Sequence, residues 1–428
     1  AVTTAIRNTL IGGISGDALT TGARNTTLGY ATLSSDTLGS RTVAIGYEAL
    51  GSQNFTTSTN AYNVAVGYSA GNVVTTGIQN TLVGALAGDA MTDADYNTAV
   101  GVAALGSNVL GSRNTALGSF ALANQTFTTA TDSYNTAVGF DAGVTISTGT
   151  NNTIVGGLAG DAITTAIGSV AMGQGALSAL QTGNSNVAIG YGAGSGMNGV
   201  ASNTCVGSSA LDGVCGNSNV AIGVSCMGST NSTSASNNTC MGDAAGFSLT
   251  SGANNLLLGK DSGRTGSPGG NLTTHSNNVV LGDENISAFY AQVALTVSSD
   301  ERDKTDFTDL ELGLDFVKSL EPVTYYWDKR SKYGDKDADD YDLSAQTPDG
   351  THKEDWMDVG FKAQSVQTLE EAAGYKIADK KNLTVSLTED GKQYGLKYEK
   401  FVPILVKAIQ DQDEIIQSLT ARIAALES

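Results

Sequence analysis

Ser299 and Lys304 stand five residues apart in the run Ser299-Asp300-Glu301-Arg302-Asp303-Lys304. A serine hydroxyl is a poor nucleophile until a base takes its proton. A lysine amine can be that base only where burial or neighbouring cations leave some of it neutral. Such a pair points to chemistry performed on the chain itself, with Asp300 and Arg302 as structural or orienting neighbours. Taken alone, the pair also reads as a surface lysine in a charged loop, so its context has to decide.

That context is a boundary. The chain has 428 residues and a formal net charge of −19. Only six of its 23 cations and 14 of its 42 acids precede Ser299. Two regions of such different charge density predict two folding units. No basic patch is present to release counterions from DNA or RNA, so nucleic acid is not an expected partner. No apolar run is long enough to span a bilayer and no signal peptide opens the chain, so membrane insertion is not expected either. Cys205, Cys215, Cys226 and Cys240 form no CxxC pair and lack zinc spacing. They read as small buried hydrophobes, and no metal or cofactor is expected.

Upstream of the boundary the chain repeats. The motif is Asn-(Thr/Val)-small-(large apolar)-Gly, as in NTLIG at 8, NVAVG at 63, NTAVG at 97 and 135, and NVAIG at 186 and 219. Aligned on its closing glycine it gives 16 copies, ending at Gly12, 29, 46, 67, 84, 101, 118, 139, 156, 168, 190, 207, 223, 242, 259 and 282. The commonest step is 17, and a short step of 12 to Gly168 is followed by one of 22. A fixed short period predicts stacked coils. The two β-branched or large slots lie two residues apart and share one face of a strand, while the slot between them, mostly Ala, faces the other way. Each coil is expected to hold two short strands and two turns. So thin a coil has little interior, and the Ala-rich face is expected to need partners, as three chains around an axis would supply. Sixteen coils about 4.8 Å apart make a rod of roughly 75 Å.

A longer period of 72 residues relates NTLIGGISGDALT at 8, NTLVGALAGDAMT at 80 and NTIVGGLAGDAIT at 152. The longest loop of a unit carries FTTSTNAYN in the first copy and FTTATDSYN in the second. Phe55 therefore matches Phe127, and Tyr62 matches Tyr134. Loops on a rigid scaffold are where recognition usually lives, so these four residues are the candidate receptor contacts. The alternative is that they pack each loop onto its own coil.

Downstream, the text becomes α+β. Leu310, Leu314, Val317 and Leu320 stand near helical spacing, a strand follows Pro322, and MDVGFKAQSVQTLEEA reads as a strand entering a helix. Asp335, Asp337 and Asp339 imitate the start of a calcium loop, but the turn Gly and closing Glu are missing, so a solvated loop is expected. From about 399 to 427 a helix carries Val402, Leu405, Ile409, Gln412, Ile416, Leu419, Ile423 and Leu426 at alternating steps of three and four. This is a heptad seam whose Ile/Leu pattern alone leaves dimer and trimer open.

Two resemblances follow from these motifs. The repeat over residues 8 to about 285 resembles the head repeats of trimeric autotransporter adhesins, which implies left-handed parallel β-rolls assembled as trimers; the coils here are longer. SDERDK at 299, LEPVTYYW at 320, VGFKAQSV at 359 and the stretch from YGLKYEKF at 394 resemble, in order, the intramolecular chaperone domain of phage tailspikes and fibres first associated with endosialidases. That resemblance implies a module that trimerises the folding fibre and then cuts the chain with a Ser/Lys dyad. The motif positions fall on Ser299 and Lys304, with the cut between Ser298 and Ser299.

The expected fold is a mostly β repeat, a parallel β-roll or solenoid in an intertwined or side-by-side homotrimer, over residues 1–285. A junction at 286–298 follows, then a small α+β chaperone domain at 299–428 ending in a coiled-coil helix. The implied function is a phage tail fibre or tailspike for host-surface attachment, carried on the virion after assembly in the host cytoplasm, with a cell-surface glycan or protein and other tail proteins as partners. A bacterial trimeric surface adhesin and a polysaccharide-degrading tailspike are the alternatives. At most a single-turnover self-cleaving endopeptidase is implied, with no turnover enzyme in the repeat.

Overall fold

The computed structural model describes residues 4–336, 338 and 340–427. They form two compact units, one of residues 4–263 and 273–281, the other of 264–272 and 282–427.

The first unit is a parallel β-solenoid. Sixteen three-residue strands, from Thr9–Ile11 to Val279–Leu281, lie side by side in chain order in one parallel sheet. The register is strict, as in Thr81 beside Thr98, Leu82 beside Ala99 and Val83 beside Val100. Two longer coils add a second short parallel pair, Gly39–Ser40 with Thr59–Asn60 and Gly111–Ser112 with Thr131–Asp132. Those pairs are 72 residues apart, so the longer period is a structural unit. Elsewhere the second side of the coil is built of turns rather than the expected second strand. Its backbone still bonds coil to coil, as Gly88 N–H does to the Ala104 carbonyl.

The sense of the sheet differs from the expectation. The central slot of each strand points into the coil, where Ala65, Leu82, Ala99 and Ile154 are fully buried. Across the narrow interior they meet larger residues such as Leu50, Met91, Leu105 and Ile163, also fully buried. Small and large residues thus fill a coil that seventeen residues can close. The two flanking slots point outward, and none of their residues is buried. The apolar face left uncovered is therefore the Ile/Leu/Val row, not the alanine row that was expected to need partners.

The register through the strand at 170–172 also corrects one repeat. The strand there is Val170–Met172, and its closing glycine is Gly173, at φ +132° like its counterparts. Gly168 instead occupies the corner before the strand, at φ +68°. Steps of 17 therefore run unbroken from Gly156 through Gly173 to Gly190. Glycine at the strand end is required by close approach: a Cβ on Gly84 would lie 2.3 Å from the Gly101 carbonyl oxygen.

Inside the strand's entry corner runs a ladder of buried asparagines. Asn97 Nδ2 donates to the Gly111 carbonyl at 3.0 Å, and its Oδ1 accepts from Asn114 N–H at 3.0 Å. Asn97 N–H in turn donates to Asn80 Oδ1 at 2.9 Å. Where Thr42 replaces an asparagine, Gln53 reaches in, donating to Thr42 Oγ1 and accepting from Asn63 Nδ2.

The second unit holds α1 (Leu314–Ser319), α2 (Ala363–Ala372) and α3 (Phe401–Glu427). Val323–Tyr325 pairs antiparallel with Asp358–Gly360, and Val385–Leu387 with Tyr394–Leu396. α1 is shorter than its apolar spacing predicted; Leu310 and Leu320 flank it and still pack on the core of Leu312, Phe316, Val366, Val385, Phe401 and Ile404. The first turns of α3 join this core through Phe401, Ile404 and Ala408. Asp411 ties α1 to α3 by accepting from Leu314 N–H at 3.0 Å, and its hydrogen bond to Lys407 keeps its carboxyl below the usual carboxylate range.

Removing one ladder asparagine should strand a buried donor and a buried acceptor. Each such group costs about 1–3 kcal/mol. Asn80→Ala, which unpairs the Ala94 carbonyl and Asn97 N–H, is expected to lower the thermal unfolding midpoint clearly, whereas Asn124→Ala, on the exposed surface, should leave it nearly unchanged; circular dichroism melts of the two variants measure this.

Candidate functional site

Ser299 and Lys304 are brought together by a single 3-10 turn, Glu301–Asp303. Asp300 caps it, accepting from Arg302 N–H at 2.9 Å. The Arg302 guanidinium closes back on the same carboxylate, with Nη2 2.6 Å from Oδ2. That hydrogen bond holds the Asp300 carboxyl low and the guanidinium high. Asp300 and Arg302 therefore form a clip across the turn, as the sequence implied. The turn folds Lys304 back so that Nζ lies 2.6 Å from Ser299 Oγ and 3.2 Å from the Ser299 carbonyl oxygen. Ser298, Ser299 and Lys304 are all exposed in the single chain. The pair thus has hydrogen-bond contact but none of the burial that turns a lysine into a base.

The segment entering the site is apolar and uncovered. Phe289, Tyr290, Val293, Leu295 and Val297 all face solvent, and Leu295 is 91% exposed. Along α3 the heptad residues Val402, Leu405, Ile409, Ile416, Leu419, Ile423 and Leu426 are exposed as well. Phe401, Ile404 and Ala408 use the other side of the helix for the module's own core.

In the repeat, the candidate receptor contacts separate into two kinds. Phe55 and Phe127 are 5% and 7% exposed, so they do not offer the flat surfaces expected of them. The Phe127 ring covers Gly111, where there is no side chain to exclude it. Tyr62 and Tyr134 are exposed, at 47% and 52%. Arg41 lies over the Tyr62 ring, and Arg113 lies over Tyr134.

The four cysteines are buried and unbridged. Cys205 and Cys240 occupy inward strand slots and Cys226 an inward turn slot, where the chain otherwise places alanine. Burial pushes the Cys205 and Cys215 thiols up to about 12, which leaves them unreactive. Of the three aspartates resembling a calcium loop, Asp337 and Asp339 lie outside the described residues. Among the described residues, no group of three or more His, Cys, Asp or Glu is placed to hold a metal ion.

Two exposed rows escaped the loop-centred reading. Tyr30, Tyr47 and Tyr68 follow closing glycines on successive coils and stack with ring centroids 5.5 Å apart. The recurring Gly-Tyr pair was their signal. The second row precedes the ladder asparagines and contains Arg24, Arg41, Tyr62, Tyr96 and Arg113.

Residues 299–375 match the family model described as chaperone of endosialidase. No curated protein and no solved structure matched the chain. The chain therefore combines a parallel β-solenoid with a C-terminal-side segment similar to the chaperone of endosialidase family, and the match begins at Ser299.

Phe127→Ala should remove a packed anchor and cost about 3–5 kcal/mol locally. Tyr134→Ala should cost about 1 kcal/mol or less, because it removes an exposed cation–π contact. Limited proteolysis of the loop at 125–135 should accelerate in the first variant and not in the second.

Proposed function

We propose that this chain is a homotrimeric bacteriophage tail fibre or tailspike that attaches the virion to a host cell surface, and that its C-terminal module assembles the trimer and then cuts itself off before Ser299. The observation that carries the reading is the outward row of the solenoid sheet. Ile11, Leu117, Met172 and Met241 are each more than 40% exposed, and they belong to one row running the length of the sheet. An apolar stripe of some 70 Å on a single chain marks an interface. A narrow flat face repeated in register suits copies of itself around an axis. The exposed heptad seam of α3 supports the same reading, and so does the match of residues 299–375 to a chaperone family.

Assembly also gives the exposed dyad a trigger. Packing three apolar entry segments together would bury Lys304 and favour its neutral amine. The amine then takes the Ser299 hydroxyl proton as Oγ adds to the Ser298 carbonyl carbon. The Ser298–Ser299 C–N bond breaks and the proton passes to the leaving amine. Water hydrolyses the resulting ester, leaving a Ser298 carboxylate and restoring the Ser299 hydroxyl. Lys304 lies 2.6 Å from Oγ, the distance such a transfer needs. Cleavage would then report correct assembly. The fibre left behind would persist because its barrier to unfolding remains high. Host contact would come from exposed solenoid rows, Tyr62 and Tyr134 among them.

Native mass measurement should give three chains per particle, and a stable monomer contradicts the proposal. On a denaturing gel the wild type should lose roughly 14 kDa, the mass of residues 299–428. Ser299→Ala and Lys304→Ala should both stay full length while remaining trimeric. Processing that persists in both variants rules out the dyad.

A further inference from the structure

The solenoid is poor in cations, and their placement is not scattered. Before Lys260 there are four, Arg7, Arg24, Arg41 and Arg113. Each is the residue just before a ladder position, namely Asn8, Asn25, Thr42 and Asn114. All four sit at the same corner of the coil, with φ between 61° and 64°. This left-handed corner favours Gly or Asn, and a bulky side chain there carries strain. The C-terminal coils keep this corner small, with Asn151, Gly168, Ser185, Ser202, Ser218, Asn237, Asn254 and Asn277. The N-terminal coils do not, so the turn itself does not explain the arginines.

Backbone bonds hold the row in register. Arg24 N–H donates to the Ile6 carbonyl at 3.2 Å, and Arg41 N–H to the Ala23 carbonyl at 3.0 Å. Arg7, Arg24 and Arg41 thus stand on three successive coils, about 4.8 Å apart. Like charges stacked at that spacing repel one another. Among the described residues, Arg7 and Arg24 have no ion-pair partner and are exposed. Arg41 is steadied without being neutralised: Nε donates to Asn60 Oδ1 at 3.0 Å, and the guanidinium lies over the Tyr62 ring. Arg113 differs, because Asp132 pairs with it at 3.0 Å. A strained, self-repelling, unneutralised row is relieved by an anion that bridges its members.

We infer that Arg7, Arg24 and Arg41 form a ladder that binds an acidic polysaccharide, laid along the solenoid so that successive carboxylates meet successive guanidinium groups. The row is one cation wide and offers N–H edges that suit planar carboxylates. A single sugar chain with a recurring acid matches that linear charge density. A nucleic-acid duplex, with charge on two strands, would also meet the acids of the neighbouring surface, since the region before residue 299 has 14 acids against six cations.

The inference rests on the attachment reading for its biological sense, and purified components test it separately. Polygalacturonate is the probe, with dextran and duplex DNA as comparisons, all against the full chain by biolayer interferometry. Wild type should bind polygalacturonate at low salt and lose affinity as salt rises, with no binding to dextran. The triple variant Arg7→Gln/Arg24→Gln/Arg41→Gln should lose affinity about tenfold or more, since it removes three charge-assisted contacts. Arg113→Gln, whose charge is already paired, should lose much less. Native mass should be unchanged in both variants. No polygalacturonate binding by wild type, equal binding by the triple variant, equal binding to DNA, or a changed oligomer mass in the triple variant would each overturn the inference. Polymer binding without adsorption to any host cell would sink the attachment reading and spare the ladder. Adsorption unaffected by the triple substitution, with no polymer binding, would do the reverse.

Discussion

The asparagine at the entry of all but two of the sixteen strands, buried along most of the ladder, is the constraint on which the solenoid depends. A coil of seventeen residues turns sharply where water cannot reach, and the backbone groups at that corner must still be satisfied. One carboxamide does both parts of the work. Its oxygen accepts from the next coil's backbone, and its amide donates to a carbonyl fourteen residues further on, as Asn80 does to Ala94. A purely apolar side chain would leave both groups unpaired, whereas the shorter Ser169 still accepts from Asn186 N–H, at 3.4 Å. The structure shows this dependence where the ladder is interrupted: Gln53, from a longer coil, supplies the amide that Thr42 lacks.

Because the ladder fixes register, every choice made in one coil is multiplied into a row. The strand-end glycines form one row, in which each Cβ would strike the next carbonyl. The outward Ile/Leu/Val residues form another, and the corner arginines a third. A single coil gains little from its own interior. The array becomes stable through neighbours, and its outer apolar row remains costly until it is covered. On the proposed reading, the C-terminal module gathers the copies before the coils form. The module's heptad seam and the apolar residues at 289–297 are exposed in the same way, so three different surfaces of this chain lack partners of their own.

Much of this architecture was legible in the sequence, and the limits have physical causes. The 17-residue period, the short strands, the 72-residue unit and, after Ser299, the elements up to 372 and the last helix follow from slot chemistry and turn residues, whereas the antiparallel pair Val385–Leu387 with Tyr394–Leu396 was not anticipated. The direction of the sheet did not follow. Alternation assigns residues to two faces, but larger residues normally point inward, and here Val83 and Val100 point out while Ala99 points in. The narrow coil inverts that rule, because the large residues of its turns already fill most of the interior and leave the strand's inward slot room for alanine. Gly168 misled because TAIG imitates a strand end, although the backbone uses that glycine for the preceding corner. Phe55 and Tyr62 lie in one loop with similar composition, and sequence alone does not say which ring the coil swallows. The Ser299–Lys304 contact was legible because five residues and a capped turn suffice to make it. The burial that would activate it comes from no part of the described single chain.

The central claim is that the outward apolar row of the sheet is where copies of the chain meet. A cysteine at Val138, in the middle of that row, tests it most directly, because the native thiols are buried and unbridged. If three copies face one another across an axis, Val138→Cys should meet its own counterpart. Mild oxidation should then give a disulfide-linked pair and one remaining chain on a denaturing gel, with little labelling by a maleimide before oxidation. A thiol that labels freely in the assembled protein and forms no inter-chain disulfide would contradict the account.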